Sequence, residues 1–345
     1  MPDTLSRRDF LKLSGLALGG LVVPPGLWKT PRQEAVFAFQ EQGRVAYESV
    51  RVYDIPSETG QVIATHWRDT VLTLTGATVD ENERTHNRVW YQLGESGYVH
   101  SSGIQPVRTV LNPPSDSIAR YGSLAEVTVP FTDAYRAPDR ESKIAYRMYY
   151  ETTYWVLSLE RAKDGSAWYR FYDDKENEEY FAPAEHLRLV PSEELTPLSP
   201  EVGPDKKLVE VRLSEQLLIA YEDKRPVFVA RVSTGRQYAS GNYATPSGWH
   251  KTYHKRPTRH MASGNLAARG FDLPGIPWVC YITESGVAFH GAYWHNDFGR
   301  PRSHGCINMT AQAAKWLYRW TLPDVPPEKP FVYRRGAGTN VLIEV

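Results

Sequence analysis

Residues 290–309, HGAYWHNDFGRPRSHGCINM, begin with a histidine and carry one cysteine near their end. A cysteine attacks well only as the thiolate, and a free thiol has a pKa of about 8.5. A nearby imidazole can take the thiol proton. Val287 to His290 is predicted to end a strand, so the spacing suits a base on a strand, a loop, and a return to the nucleophile Cys306. Gly305 has no side chain, which lets backbone N–H groups approach a substrate oxygen.

A helix is predicted directly after this stretch. Thr310 can cap it, and one apolar face follows from Ala313, Ala314, Leu317 and Trp320. Because Cys306 precedes the cap, we expect the thiol beside this helix and not in its first turn. The rest of the C-terminal segment is predicted to be mostly strands, at 208–213, 216–221, 225–233, 330–333 and 340–345.

The run from Ser303 to Asn308, Ser-His-Gly-Cys-Ile-Asn, resembles the signature of the L,D-transpeptidase (YkuD-type) catalytic domain, together with His290 upstream. The resemblance covers about 205–345. Two earlier turns support it, Ser233-Thr234-Gly235 and Thr245-Pro246-Ser247-Gly248, which come in the order that the family shows.

The resemblance implies specific roles. Cys306 would be the nucleophile and His290 the general base, with the second ring nitrogen held by the carbonyl of Gly291. His304, Gly305 and Cys306 would form the oxyanion hole. The substrate would be a peptidoglycan stem peptide, which forms a thioester that an amine or water resolves. The resemblance also implies covalent inhibition by carbapenem-type β-lactams, and no metal or cofactor is needed.

Further residues of this segment are candidates for substrate binding: Ser303, Asn308, Arg302, Tyr243 and Trp294. Arg300 or Arg302 can hold a substrate carboxylate bidentately, and the alternative is a pair of solvated loop arginines. Five aromatic residues can line a substrate channel or pack in the core: Tyr243, Trp249, Trp278, Tyr293 and Trp294. The segment from Gln237 to Trp278 is a candidate flap.

Two N-terminal segments repeat one order of short strands. Residues 44–108 and 120–191 each carry a Tyr-x-x-Pro turn and a late Trp-Tyr strand, and they resemble bacterial Src-homology-3-like barrels. Such modules bind cell-wall polymer or space an enzyme, while their aromatic residues are favoured as core residues. Proline-rich linkers at 113–117 and 191–204 separate the segments. The predicted fold class is therefore mainly β: two small Src-homology-3-like barrels, then an L,D-transpeptidase-type β-sandwich, 205–345, with one main helix.

The N-terminus is predicted to be an export signal. Arg7 and Arg8 precede an apolar run from Leu13 to Val23 and then two prolines, which is typical of a twin-arginine signal over residues 1–35. The alternative is a cytosolic helix. The signal predicts an extracytoplasmic, cell-wall-associated protein. The formal net charge is zero and no basic run is present, so nucleic acid is not expected as a partner.

Competing interpretations stay open. Cys280 lies in an apolar strand and is predicted to be a buried, inert thiol, with a disulfide to Cys306 as the alternative. His250, His254 and His260 invite a zinc site, but Pro and Gly around them disfavour a ligand-presenting helix. The competing functions are an L,D-carboxypeptidase with the same thioester, a non-catalytic wall-binding protein and a metal-dependent amidase.

Overall fold

The computed structural model describes residues 41–80, 86–238, 241–264 and 270–345. The predicted export signal, residues 1–35, lies outside this range. The described part is mainly β with a single α-helix, which confirms the predicted fold class at that level. None of its helices is both long enough and apolar enough to cross a bilayer.

The first unit is built from two antiparallel sheets, with strand orders β4-β1-β8 and β3-β2-β7-β6-β5. Its strands are β1 (Glu41–Val45), β2 (Ser49–Tyr53), β3 (Val62–Trp67), β4 (Val71–Leu74), β5 (Gly76–Val79), β6 (Val89–Gln92), β7 (Tyr98–His100) and β8 (Ile104–Val107). A short 3-10 helix, Ser101–Gly103, precedes the last strand. Alternating residues such as Val50 and Val52 fill the core between the sheets.

The second unit is one antiparallel sheet with the order β11-β10-β14-β13-β12-β9-β15. Its strands are β9 (Ser123–Val127), β10 (Phe131–Tyr135), β11 (Ile144–Tyr149), β12 (Thr153–Arg161), β13 (Ala167–Asp173), β14 (Glu178–Pro183) and β15 (Leu187–Leu189). A 3-10 helix, Ala184–His186, again comes before the last strand.

The two units share a local arrangement that the sequence repeat predicts. Tyr53 meets Trp90 edge-on at 5.5 Å between ring centroids, and Tyr135 meets Trp168 edge-on at 5.4 Å. Both tryptophans are 1% exposed. Trp90, Tyr135 and Trp168 are therefore core residues, as favoured from the sequence, while Tyr53 is half-buried. The assignment of either unit to the Src-homology-3 class stays a prediction, and so do the domain boundaries.

The predicted second linker is not a free spacer. It contains a 3-10 helix, Ser192–Leu195, and Leu195 is buried in the same apolar cluster as Trp155 of β12 and Leu317 of the C-terminal unit. The amide of Leu198 also donates to the carbonyl of Arg319. Residues of the second unit and of the linker therefore pack into the core of the C-terminal unit, while the second unit keeps a core of its own.

The C-terminal unit contains two five-stranded sheets, with orders β18-β17-β16-β27-β21 and β25-β24-β23-β22-β26, and the small hairpin β19-β20. Its strands are β16 (Lys207–Arg212), β17 (Leu217–Glu222), β18 (Arg225–Arg231), β19 (Gln237–Tyr238), β20 (Gly241–Asn242), β21 (Gly248–Lys251), β22 (His254–Ser263), β23 (Phe271–Tyr281), β24 (Ala288–Gly291), β25 (Ile307–Met309), β26 (Val332–Tyr333) and β27 (Asn340–Glu344). Two pairs are parallel, β16–β27 and β24–β25.

The single α-helix of the described part, α1 (Ala311–Trp320), begins where the sequence predicts. The Thr310 side chain accepts a hydrogen bond from the amide of Ala313, which confirms the predicted cap. Leu317 and Trp320 are buried in the main core. The helix therefore covers the sheet that carries β24 and β25.

The segment predicted as a flap, from Gln237 to Trp278, is largely regular structure. β22 and β23 form a long antiparallel hairpin in which Trp278 is 1% exposed. Residues of the outer part of the hairpin, such as Met261 and Phe271, line the candidate site, and so do Ile276 and Tyr281 closer to its base. The prediction of a flap over the whole segment is therefore wrong, because most of β23 is a buried core strand whose hydrogen bonds are made within the sheet.

His260 joins the second unit to this hairpin. Its Nδ1 lies 2.7 Å from Asp173 Oδ2 of β13, and its Nε2 lies 2.8 Å from Asp272 Oδ1 of β23. Burial alone would lower the pKa of His260, but the hydrogen bonds and charges of Asp173 and Asp272 raise it above its usual value. The imidazolium thus stabilises the contact between the two units.

We expect the His260→Gln variant to lose about 1–3 kcal/mol of unfolding free energy at pH 5–6, because charged hydrogen bonds disappear. A raised folded-state pKa contributes stability that is fully present below about 6.5 and declines as pH rises through the folded pKa. The deficit should therefore shrink above neutral pH. Denaturant unfolding across pH measures it, with His66→Gln as the control. A deficit that is constant with pH would contradict the assignment.

Candidate active site

The parallel pairing of β24 with β25 brings the predicted base and nucleophile together. Phe289 pairs with Ile307 and His290 with Asn308. Side chains alternate along a strand, so Phe289 and Ile307 both enter the core while His290 faces the opposite side. Cys306 precedes Ile307 and lines the same cleft as His290. The two side chains therefore lie at diagonal positions on one face of neighbouring strands.

The ring of His290 is fixed in orientation. It is 3% exposed, and its Nδ1 lies 3.0 Å from the carbonyl oxygen of Gly291. Nδ1 therefore donates, which leaves the lone pair of Nε2 as the proton acceptor. A β-carbon at Gly291 would stand 2.7 Å from Pro277 Cγ and 3.0 Å from Ala311 Cα. Glycine is thus required where β24 packs against the start of α1.

The loop before Cys306 is held by the upstream turns. The Thr245 hydroxyl donates to the carbonyl of Gly305 at 2.8 Å and accepts from the amide of Gly235 at 2.9 Å. The Ser303 hydroxyl donates to the carbonyl of Cys306, and the Ser303 amide donates to Thr234. The motifs that the sequence analysis singled out upstream therefore fix the backbone of the candidate nucleophile.

Burial keeps both reacting groups neutral at rest. It raises the pKa of the Cys306 thiol to about 11, an effect that a hydrogen bond from the Ala288 backbone reduces. It also lowers the pKa of His290 to about 4. The thiol donates to the carbonyl of Gly286, with 3.7 Å between Sγ and oxygen. The neutral thiol is therefore the resting form, and no cationic side chain among the described residues lowers the pKa of Cys306.

The predicted oxyanion hole is only partly available. The amide of Gly305 donates to the Ser303 hydroxyl at 3.1 Å, so it is engaged. Gly305 has φ +119°, a region in which a residue with a side chain would be strained, and this is the reason for glycine here. The hydrogen bonds of the described residues give no acceptor to the amides of His304 and Cys306. These two N–H groups remain candidates for an oxyanion.

Arg302 lines the same cleft as Cys306, and its substrate-binding role stays a prediction. Its guanidinium contacts Asp297, through Nε at 2.6 Å, and the hydroxyl of Tyr47. Arg300 also donates to Asp297 at 2.6 Å. Although burial acts to raise the pKa of Asp297, the charge of Arg302 and the bond from His86 hold it below its usual value. Both arginines therefore neutralise a buried carboxylate, so they are not simply solvated loop residues.

The aromatic candidates divide into three groups. Tyr243 and Trp294 line the cleft, and Trp294 lies 5.9 Å from the His290 ring. Trp278 is in the core, and Trp249 is 67% exposed outside the cleft, so these two do not line a channel. The ring of His304 meets Tyr243 at 4.7 Å between centroids, in an aromatic cluster at the cleft mouth.

Asn308 lies in the cleft wall, as its predicted role requires. It is 1% exposed, and its amide nitrogen lies 3.1 Å from His295 Nε2. The carbonyl oxygen of the Asn308 side chain has no hydrogen-bond partner among the described residues. A buried acceptor without a partner is costly in free energy.

The walls of the cleft are formed by all three units, not by the C-terminal unit alone. The cleft encloses about 1140 Å³, and its walls include Tyr47 and Arg68 of the first unit and Tyr146 and Lys175 of the second. Sequence reasoning missed these residues, since nothing local marks them. Asp297 carried a weak signal, an acidic residue followed by two arginines within one loop.

The structure places both cysteines and two of the histidines for which the sequence left competing interpretations. Cys280 and Cys306 are both free, and Cys280 is 0% exposed, which confirms the inert buried thiol. His254 stacks on Tyr281, while His260 binds two aspartates. No three His, Cys, Asp or Glu side chains of the described residues converge as a metal ion would require.

A family model matches residues 206–343, the YkuD L,D-transpeptidase catalytic domain. This stretch is shorter than half of the chain. The curated proteins gave no match.

Several solved structures are similar to part of this chain. An L,D-transpeptidase of Enterococcus faecium is 21% identical with a TM-score of 0.31, over 40% of this chain and 49% of that chain. One from Xylanimonas cellulosilytica is 28% identical with a TM-score of 0.28, over 40% and 59%. The catalytic domain from the E. faecium enzyme acylated by ertapenem is 21% identical with a TM-score of 0.31, over 40% and 96%. The match thus spans about half the length of the first of these chains.

The pKa of Cys306 predicts how the thiol reacts with iodoacetamide. Because the thiolate is the reactive form, we expect alkylation of Cys306 to rise about tenfold per pH unit between pH 7 and 10. Mass spectrometry of the Cys306 peptide measures the rate, with the Cys280→Ala variant as the control for selectivity. A plateau below pH 8 would show instead that the sulfur is already ionised.

Proposed function

We propose that this chain, whose residues 206–343 match the L,D-transpeptidase catalytic domain, is a cysteine L,D-transpeptidase that acts on peptidoglycan stem peptides. Cys306 attacks the carbonyl between the third and fourth stem residues. The product is a thioester, and an amine of a neighbouring stem or of a protein accepts the acyl group.

One observation carries this proposal. In the parallel pair β24–β25, His290 and Cys306 share one face and one cleft, and the Gly291 carbonyl turns Nε2 of His290 toward the open side. A thiol beside an oriented, neutral imidazole is the arrangement that acyl transfer through sulfur requires. The match of residues 206–343 to the family model supports the same reaction.

The proton balance follows from the neutral resting pair. As the Cys306 sulfur bonds to the carbonyl carbon, its proton moves to Nε2 of His290, and the oxygen charge is stabilised by the amides of His304 and Cys306. The C–N bond then breaks, and His290 returns the proton to the leaving amine. When the acceptor amine attacks the thioester, it gives a proton to His290, the C–S bond breaks, and His290 returns that proton to the Cys306 sulfur. Sulfur and imidazole are thereby both neutral again after each turnover.

The nearest alternative is an L,D-carboxypeptidase, in which water resolves the same thioester. The two activities share Cys306 and His290, so only the product separates them. Incubation with tetrapeptide muropeptides gives crosslinked dimers in the first case and tripeptide alone in the second. A metal-dependent amidase would lose activity in a strong chelator, whereas the thioester route would not.

The setting of the enzyme is part of the proposal. The twin-arginine pattern supports export to the cell wall, and the two N-terminal units are candidates for contact with wall polymer. A wall-binding protein without catalysis is the alternative. It would bind sacculi equally well with and without the Cys306 thiol and would form no acyl adduct.

The Cys306→Ala variant should form no thioester with a tetrapeptide stem, because the attacking sulfur is absent. Intact-mass spectrometry after exposure to the stem measures the adduct. The Cys280→Ala variant, which removes the other thiol from the core, should retain the adduct. Turnover by Cys306→Ala equal to that of the wild type would refute the assignment of the nucleophile.

A carbapenem should acylate Cys306, since its strained amide is open to the same attack by sulfur. We expect a mass increase of one inhibitor per chain after long incubation, absent from Cys306→Ala and present in Cys280→Ala. Peptide mapping locates the adduct. No adduct in the wild type would argue against an activated thiol at this site.

A further inference from the structure

The first unit binds the loop that connects the candidate base to the candidate nucleophile. The amide of Asn296 donates to the carbonyl of Ser102 at 2.9 Å, and Asp297 lies 2.8 Å from His86 Nε2. Arg302 donates to the Tyr47 hydroxyl. Residues far apart in sequence thus hold three positions of one loop.

Arg44 of β1 is the buried centre of this contact. It is 1% exposed, and its Nη2 donates to the carbonyl of Tyr293 at 2.5 Å. Nε and Nη2 also donate to Gln105 Oε1, and Nη1 donates to Asp69 Oδ1 at 2.9 Å. Asp69 in turn binds Arg147 of the second unit at 2.8 Å. One guanidinium therefore links both N-terminal units to the loop.

A series of aromatic contacts connects Arg44 to the candidate base, His290. The Arg44 guanidinium carbon lies 4.2 Å from the centroid of the Tyr149 ring, which stacks on Tyr293 at 5.0 Å. Trp294 meets Tyr293 edge-on at 5.2 Å and lies 5.9 Å from the ring of His290. Fixing the Tyr293 carbonyl therefore also fixes the wall against which His290 is oriented.

We propose that Arg44 is a positioning residue of the active site, and that the first unit is a working part of the enzyme rather than a detachable module. This inference rests on the proposed function. Acyl transfer needs sulfur, imidazole and carbonyl aligned closely, and small displacements are costly in rate. Arg44 acts through Tyr293 and touches no reacting atom.

The chemistry of the contact requires arginine. The guanidinium has five donors in a rigid fork, which reach Gln105, Asp69 and Tyr293 together. A lysine has three donors around one point and cannot span these acceptors. Arg44→Lys therefore keeps the charge and loses the geometry, while Arg44→Gln loses both.

The test compares Arg44→Lys and Arg44→Gln with Arg51→Lys, an exposed arginine on β2 of the same unit. In the full chain, we expect the Arg44 variants to lower kcat for acyl transfer about tenfold to a hundredfold, with KM within about twofold. Alkylation of Cys306 by iodoacetamide, which needs no substrate, should slow as well. Arg51→Lys should leave all three quantities unchanged.

A purely structural role has a different signature. If the Arg44 variants melt earlier but keep kcat and the pH dependence of Cys306 alkylation in the folded protein, the inference is overturned. If neither Arg44 variant folds, the Gln105→Met variant serves instead, because it removes one acceptor of the Arg44 guanidinium and leaves the arginine in place. An unchanged kcat in that variant would also overturn the inference. Absence of acyl transfer in the wild type would instead remove the proposed function.

Discussion

The parallel hydrogen bonding of β24 to β25 is the constraint on which the candidate site depends. A shift of one residue in this register would turn Cys306 into the core and Phe289 or Ile307 into the cleft. The register is held because Phe289 and Ile307 are both 0% exposed in the main core. Burial of Phe289 and Ile307 on one face of the two strands thus determines that His290 and Cys306 lie on the other face, in the cleft.

The same burial sets the chemical state of the site. A desolvated thiol and a desolvated imidazole each favour the uncharged form, which explains a pKa of about 11 for Cys306 and of about 4 for His290. An ion pair between them is stabilised only when both charges appear together and a substrate excludes water. In the proposed mechanism, the proton transfer is therefore coupled to attack, and no standing thiolate is present to react with solutes.

The three units form one structure around the cleft. Trp155 of the second unit and Leu195 of the linker are part of the apolar cluster of the C-terminal unit, and the first unit reaches the loop between His290 and Cys306 through Arg44 and its buried hydrogen bonds. Binding of wall polymer by the N-terminal units remains a proposal. Their contribution to the walls of the cleft follows from the residues that line it.

The sequence was enough to predict strands such as β16 and β17, the helix cap at Thr310, and His290 and Cys306 as candidates, because periodicity, capping and reactive side chains are local properties. The tertiary structure alone decided that Arg302 binds Asp297 and that Arg44 reaches Tyr293. Whether a charged side chain is solvated, paired or buried depends on neighbours that are distant in the chain. The packing of the sheets brings those neighbours together, and it cannot be predicted from a local sequence pattern.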